Sequence, residues 1–161
     1  MNYEIAVKNI REELEKYIIN NNIKSLVLGI SGGIDSTLVA ALSKPVCDKL
    51  QIPLIGVSLP SKSNKDDEVK RAKLVGRVFC SSFREDDINE SFIKLAYLVK
   101  HTPFEDERAI QNGNIKARIR MIYLYDVASC NKGLVLSTDN YTDIGGLKEL
   151  WSVGSKFVQS S

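Results

Sequence analysis

The sequence predicts a doubly wound, mostly parallel α/β sheet flanked by helices. Three observations carry this. Short apolar runs alternate along the chain with longer amphipathic stretches, the pattern of successive βαβ units. A Gly-rich turn directly follows the first apolar run, where open α/β folds place ligands. The chain has 161 residues with 43% hydrophobic and 26% charged residues, which suits one globular domain with a buried core.

The elements follow in order. Ala6, Ile10, Leu14 and Tyr17 recur at helical spacing. Glu4 with Lys8 and Glu12 with Lys16 are i,i+4 pairs that would support that helix. The run Asn20-Asn21-Asn22 should end it, because Asn tolerates left-handed backbone. Ser25 to Ile30 reads as a buried parallel strand, and Ser31-Gly32-Gly33 as a turn. A helix is predicted from about Ser36 to Leu50, with Pro45 expected to break or kink it. Pro53 to Leu59 reads as a second strand and Val78 to Phe83 as a weak third. Between them Lys65 to Val78 is a charged helix with Val69, Ala72, Leu74 and Val75 inward. Ile88, Phe92, Leu95 and Val99 mark another helix. His101 to Gly113 has no clear period and reads as a loop. Asn114 to Ser129 is a helix with two apolar stripes, Ile115-Ile119-Ile122 and Ala117-Met121-Leu124-Ala128, as expected of a helix buried in its own fold or at a subunit interface. Leu134 to Ser137 is a last strand. Residues 145–161 carry no strong pattern and read as a tail.

Composition narrows the function. Lys+Arg is 22 and Asp+Glu 20, a net charge of +2, so no basic excess points to nucleic acid. No apolar run approaches the ~20 residues that cross a bilayer. The N-terminus lacks a signal-peptide core, so a cytoplasmic location is expected. Cys47, Cys80 and Cys130 are odd in number and far apart, which argues against a disulfide framework or zinc site. His101, the single histidine, is better read as a loop residue beside Pro103 than as a catalytic base.

The segment richest in chemistry is Gly29-Ile30-Ser31-Gly32-Gly33-Ile34-Asp35-Ser36-Thr37. Adjacent glycines let backbone approach a ligand, and the following helix start offers free N–H groups and a positive dipole end. Ser31, Ser36 and Thr37 add hydroxyls. Such a loop suits phosphate or pyrophosphate. It is neither a Walker A loop, having no Lys before Ser36, nor a GxGxxG fingerprint. Asp35 would repel phosphate unless a divalent metal stood between them, so it is a candidate Mg²⁺ ligand bridging to ATP. The alternative is an Asp that caps the helix.

The sequence SGGIDS at residues 31–36 resembles the modified P-loop of the ATP pyrophosphatases of the adenine nucleotide α-hydrolase-like, Rossmann-like fold, which includes NAD, GMP and asparagine synthetases and tRNA-modifying enzymes. Two further segments resemble NAD synthetase in particular. Gly113-Asn114-Ile115-Lys116-Ala117-Arg118-Ile119-Arg120-Met121 matches its GNxKARxRM helix start, and Ser137-Thr138-Asp139-Asn140-Tyr141-Thr142-Asp143 its [GS]TDxxxE strand end. The likeness covers about residues 3 to 143. It implies an ATP pyrophosphatase domain over residues 1–144 and a divergent tail over 145–161.

The resemblance implies ammonia-dependent amidation of deamido-NAD, with ATP as co-substrate, through an NAD-adenylate, releasing AMP and pyrophosphate. Gly29 to Ser36 and Thr138 would contact ATP. Asp35 and Asp143 would bind Mg²⁺. Arg118 would contact deamido-NAD, with solvated helix charges as the alternative for Arg118 and Arg120. Lys116 receives no role. A homodimer built from helices near the motif helix is expected, with ammonia from solution or a partner. Three departures from the family pattern stand out: Asp143 in place of Glu, Ser58-Leu59-Pro60 in place of Arg-Leu-Pro, and a different, short sequence after residue 143. The last suggests a truncated or diverged member. Two other readings are therefore kept: an impaired homologue that binds nucleotide or a partner, and another ATP pyrophosphatase.

Overall fold

A computed structural model describes residues 2–99 and 105–138, with the side chains of 105–107 excepted. The elements run α1 (Tyr3–Asn20), β1 (Ser25–Gly29), α2 (Ile34–Leu50), β2 (Leu54–Ser58), α3 (Asp66–Phe79), β3 (Ser82–Glu85), α4 (Asn89–Leu98), α5 (Glu105–Cys130) and β4 (Gly133–Leu136). The four strands form one parallel sheet in the order β3-β2-β1-β4. Strand order reverses between β1 and β4, which makes the carboxyl end of β1 the switch point where doubly wound sheets open a crevice.

The inner strands β1 and β2 are mostly apolar because both of their faces are covered. Leu26 and Leu28 of β1, with Ile30 beyond it, face a core shared with Ile18, Ala40, Val46 and Val75 of α1, α2 and α3. Val27, between them, faces the opposite core with Val57, Ile119 and Val127, on the α4–α5 side. That alternation is the strand period of two. The edge strand β3, Ser-Phe-Arg-Glu, has no fully buried side chain, consistent with polar residues guarding an edge.

Several expectations change. α2 runs through Pro45 unbroken. Pro45 lacks the N–H that would bond the Ala41 carbonyl, and Arg11 of α1 supplies donors there: Nη2 to Ala41 O at 3.3 Å and Nε to Leu42 O at 3.3 Å. The third strand is Ser82–Glu85, because α3 continues to Phe79. Residues 105–113, read as part of a loop, form the first turns of α5, so Gly113-Asn114 is not the helix start but lies inside the helix. Leu74 points outward and is 63% exposed. In α1 the ion pairs are Lys8–Glu12 and Lys16–Glu13, not Glu4–Lys8 and Glu12–Lys16. Asn22 does take left-handed backbone, φ 52°, just past the end of α1. His101, Pro103, Asp143 and residues 145–161 lie outside the described residues.

Candidate functional site

The Gly-rich loop turns at Gly32, whose φ is +80°. A β-carbon there would also stand 2.2 Å from the Glu68 carbonyl oxygen in the first turn of α3. Backbone conformation and close approach therefore both demand glycine. From α3, Arg71 Nε donates to Gly32 O at 3.1 Å and ties the loop down.

The three hydroxyls of the loop brace it from within. Ser36, 2% exposed, donates to Gly33 O at 3.1 Å, and Thr37 Oγ1 donates to the same oxygen at 2.8 Å. Ser31 Oγ accepts from Gly33 N at 3.2 Å and lies 3.2 Å from Ser36 Oγ. Helix α2 begins at Ile34 behind its N-cap Gly33, and no side chain caps it. The capping alternative for Asp35 is thereby removed. Its carboxylate stands exposed in the first turn, at the end of a helix whose leading N–H groups have no side-chain acceptor. The Ile34 side chain is 81% exposed.

Beside this loop a crevice of about 280 Å³ opens at the carboxyl ends of β1 and β2. Gly29, Ile30 and Ser31 form one wall, Ser58 to Pro60 another, and Thr138, Arg120 and Leu124 close it from beyond β4 and from α5. The sequence-predicted Gly29, Ile30, Ser31 and Thr138 are thus brought together. Arg120, left as a possible solvated charge, belongs with them: its Nε donates to Leu59 O at 3.0 Å and Nη2 to Asn64 Oδ1 at 3.4 Å. Burial holds its guanidinium below the ordinary arginine range.

Asn64 organises the loop between β2 and α3. Its Oδ1 accepts from Ser61 N at 2.9 Å and its Nδ2 donates to Glu68 Oε2 at 3.2 Å. Glu68 also accepts from Lys65 N at 3.2 Å. The Asn64 amide, and then the Lys65 N–H, hold the Glu68 carboxyl below its usual range. Lys116, given no role from sequence, reaches Ser63 Oγ at 2.8 Å and lies over the Phe92 ring, 4.6 Å from its centre. Lys116 and Arg120 sit four residues apart on one face of α5, and together they grip this loop. Their i,i+4 spacing was readable, but their target was not.

Arg118 points elsewhere. It is exposed and lines a larger groove, about 730 Å³, between α4 and α5 with Leu95, Val99, Arg108, Ile115 and Ile122. At the end of β3, Asp86 accepts a hydrogen bond from the Tyr123 hydroxyl while Arg84 stacks 4.8 Å from the Tyr123 ring centre. Burial, and then Asp86, push the Tyr123 hydroxyl above its usual range.

Among the described residues no three His, Cys, Asp or Glu side chains gather as a metal cage. Of the two sequence-predicted metal ligands, Asp35 is the one among the described residues; a single carboxylate could hold only a Mg²⁺ that takes most of its ligands from phosphate and water.

Residues 6–145 match the family model described as NAD synthase. The chain is 34% identical over 143 residues to the NH(3)-dependent NAD(+) synthetase of Finegoldia magna, covering 89% of this chain and 56% of that protein. It is 31% identical over 160 residues to the enzyme of the same description from Methanococcus aeolicus, covering 98% of this chain and 62% of that one. In structure it resembles the NH3-dependent NAD synthetase of Campylobacter jejuni solved with nitrate, with a TM-score of 0.78 at 24% identity over 89% of this chain and 59% of that one. The chain thus spans between half and two thirds of the length of these proteins.

Proposed function

The chain belongs to the NAD synthase family, and from that premise we propose that it carries out ATP-dependent amidation of deamido-NAD with ammonia, forming NAD, AMP and pyrophosphate through an NAD-adenylate. The observation that supports this best is the crevice at the β1–β4 switch point, where Gly29, Ile30, Ser31 and Thr138 meet beside the uncapped start of α2. In this reading the 29–36 segment, with Thr138, receives the ATP phosphates. The α2 N-terminus would stabilise charge growing on the leaving pyrophosphate.

Asp35, with Asp143, would hold Mg²⁺, and the metal would supply charge neutralisation across the phosphates. The nicotinate carboxylate attacks the α-phosphorus, pyrophosphate leaves, and ammonia then displaces AMP. No protein nucleophile is needed. Arg118 is proposed to contact deamido-NAD, supported by its place in a groove roomy enough for part of a dinucleotide.

We also propose a homodimer formed on the α4–α5 face, where Ile93, Tyr97, Leu98, Ile110 and Ile122 are exposed large apolar side chains. Three free cysteines among the described residues suit a reducing, cytoplasmic setting. In this reading residues 1–144 form the ATP pyrophosphatase domain and 145–161 a divergent tail.

The test supplies Mg²⁺-ATP, deamido-NAD and an ammonium salt to the purified chain, with Asp35→Ala beside it. NAD and AMP in equal amounts, lost in the variant, support the proposal. A folded chain that binds ATP but yields no NAD overturns it in favour of nucleotide binding without turnover.

A further inference from the structure

Arg120 is a cation whose hydrogen-bond partners are neutral. Leu59 O and Asn64 Oδ1 take two of its five N–H donors, and neither carries charge. Glu68, the one acidic side chain among the described residues lining the crevice, is engaged by Asn64 and Lys65 N. No carboxylate of the described residues forms an ion pair with Arg120. A half-buried, uncompensated guanidinium on the wall of a polar cavity is an incomplete arrangement. An anion entering that cavity would complete it.

We propose that Arg120 is a phosphate-binding residue of the crevice, offering its remaining N–H donors to an anionic oxygen of the nucleotide's phosphate chain. The planar fork suits phosphate. Its two neutral anchors hold it in place before ligand arrives, so little side-chain freedom is lost on binding. Gly29, Ile30 and Ser31 line the same crevice, so one phosphate chain would reach both the loop and the guanidinium. The inference rests on reading the crevice as the nucleotide site, but not on turnover.

The test measures binding of inorganic pyrophosphate, α,β-methylene-ATP and adenosine to the full chain with Mg²⁺, in wild type, Arg120→Gln and Arg120→Lys. Arg120→Gln should weaken pyrophosphate and the ATP analogue by roughly 10- to 100-fold and leave adenosine unchanged. Arg120→Lys, which keeps the charge, should stay within about tenfold of wild type. Pyrophosphate affinity unchanged in Arg120→Gln overturns the proposal, as does an equal loss for adenosine, the mark of a merely structural role.

Should Arg120→Gln fail to fold, the Arg120 Nε–Hε resonance of the intact protein decides. It should shift on adding pyrophosphate but not adenosine, and a signal unmoved by pyrophosphate overturns the proposal. Nucleotide binding without NAD formation removes the amidation reading alone. A wild type that binds neither anion removes both.

Discussion

Arg11 does for Ala41 what Pro45 does not: its Nη2 donates, at 3.3 Å, to the carbonyl that residue 45 of an ordinary helix would satisfy. Its Nε reaches the next carbonyl, Leu42 O, at 3.3 Å. A second helix thus repairs the first. Lys49–Glu15, at 2.6 Å, joins the same two helices further along.

Arg11→Ala should therefore cost about 1–2 kcal/mol, the value of a charge-assisted bond to an otherwise unpaired acceptor. In a Pro45→Ala background the same change should cost less, because an alanine at that position restores the backbone amide. Urea unfolding of the two single variants and the double variant measures the coupling. Strict additivity would refute the repair.

Gly32→Ala should be far more harmful than its position in a loop suggests. A φ of +80° is strained for Ala, and the new β-carbon would meet the Glu68 carbonyl at 2.2 Å. Together these should cost about 2–5 kcal/mol. The loop must shift away from α3, so ATP binding should fall along with stability. Thermal unfolding and nucleotide titration read both effects. A variant of normal stability would show that the loop is not pinned to α3.

The difference between legible and illegible features is physical. The strand and helix alternation survived because both faces of the sheet are covered, so β1 and β2 had to be mostly apolar. The Gly-rich loop was legible because only glycine fits φ +80° against a neighbouring backbone. The start of α5 was not, since Gly113 and Asn114 are poor helix formers. Packing of α5 on α4, β1 and β4 overrides that preference. Arg120 was missed for a related reason. Its partners Leu59 and Asn64 lie 61 and 56 residues away, and no local pattern encodes them.

The cysteines set a pH dependence. Burial pushes the Cys47 and Cys80 thiols from an ordinary value of 9.0 up to about 11. The unfolded chain would ionise first. A thiol whose pKa is raised in the folded state disfavours folding once the pH passes its unfolded value, because the unfolded chain gives up the proton while the fold must keep it; stability therefore falls, beginning near pH 9 and levelling off by about 11. Urea unfolding at pH 8 and pH 10.5 checks this, and the fall should flatten in a Cys47→Ala, Cys80→Ala variant. At pH 8 a disulfide reagent should label exposed Cys130 well before Cys47. Rapid labelling of Cys47 would contradict its burial.

Arg118 and Thr138 give the sharpest division of labour, because α5 separates their surroundings. Thr138 lies in the crevice with the Gly29–Ser31 wall. Arg118 lies in the α4–α5 groove, and between Arg118 and Arg120 the chain passes through Ile119, a core residue 8% exposed. If the proposed amidation is correct, the two co-substrates should report on different residues. Arg118→Ala removes a fixed cation from the groove and should raise KM for deamido-NAD roughly tenfold, with KM for ATP unchanged. Thr138→Ala should do the reverse, by roughly 3- to 10-fold, the scale of one neutral hydrogen bond. Initial rates with each substrate varied at saturating levels of the others make the comparison. Should Arg118→Ala raise KM for ATP instead, the groove is not where the dinucleotide lies, and the charge at 118 must act on the crevice through the helix itself.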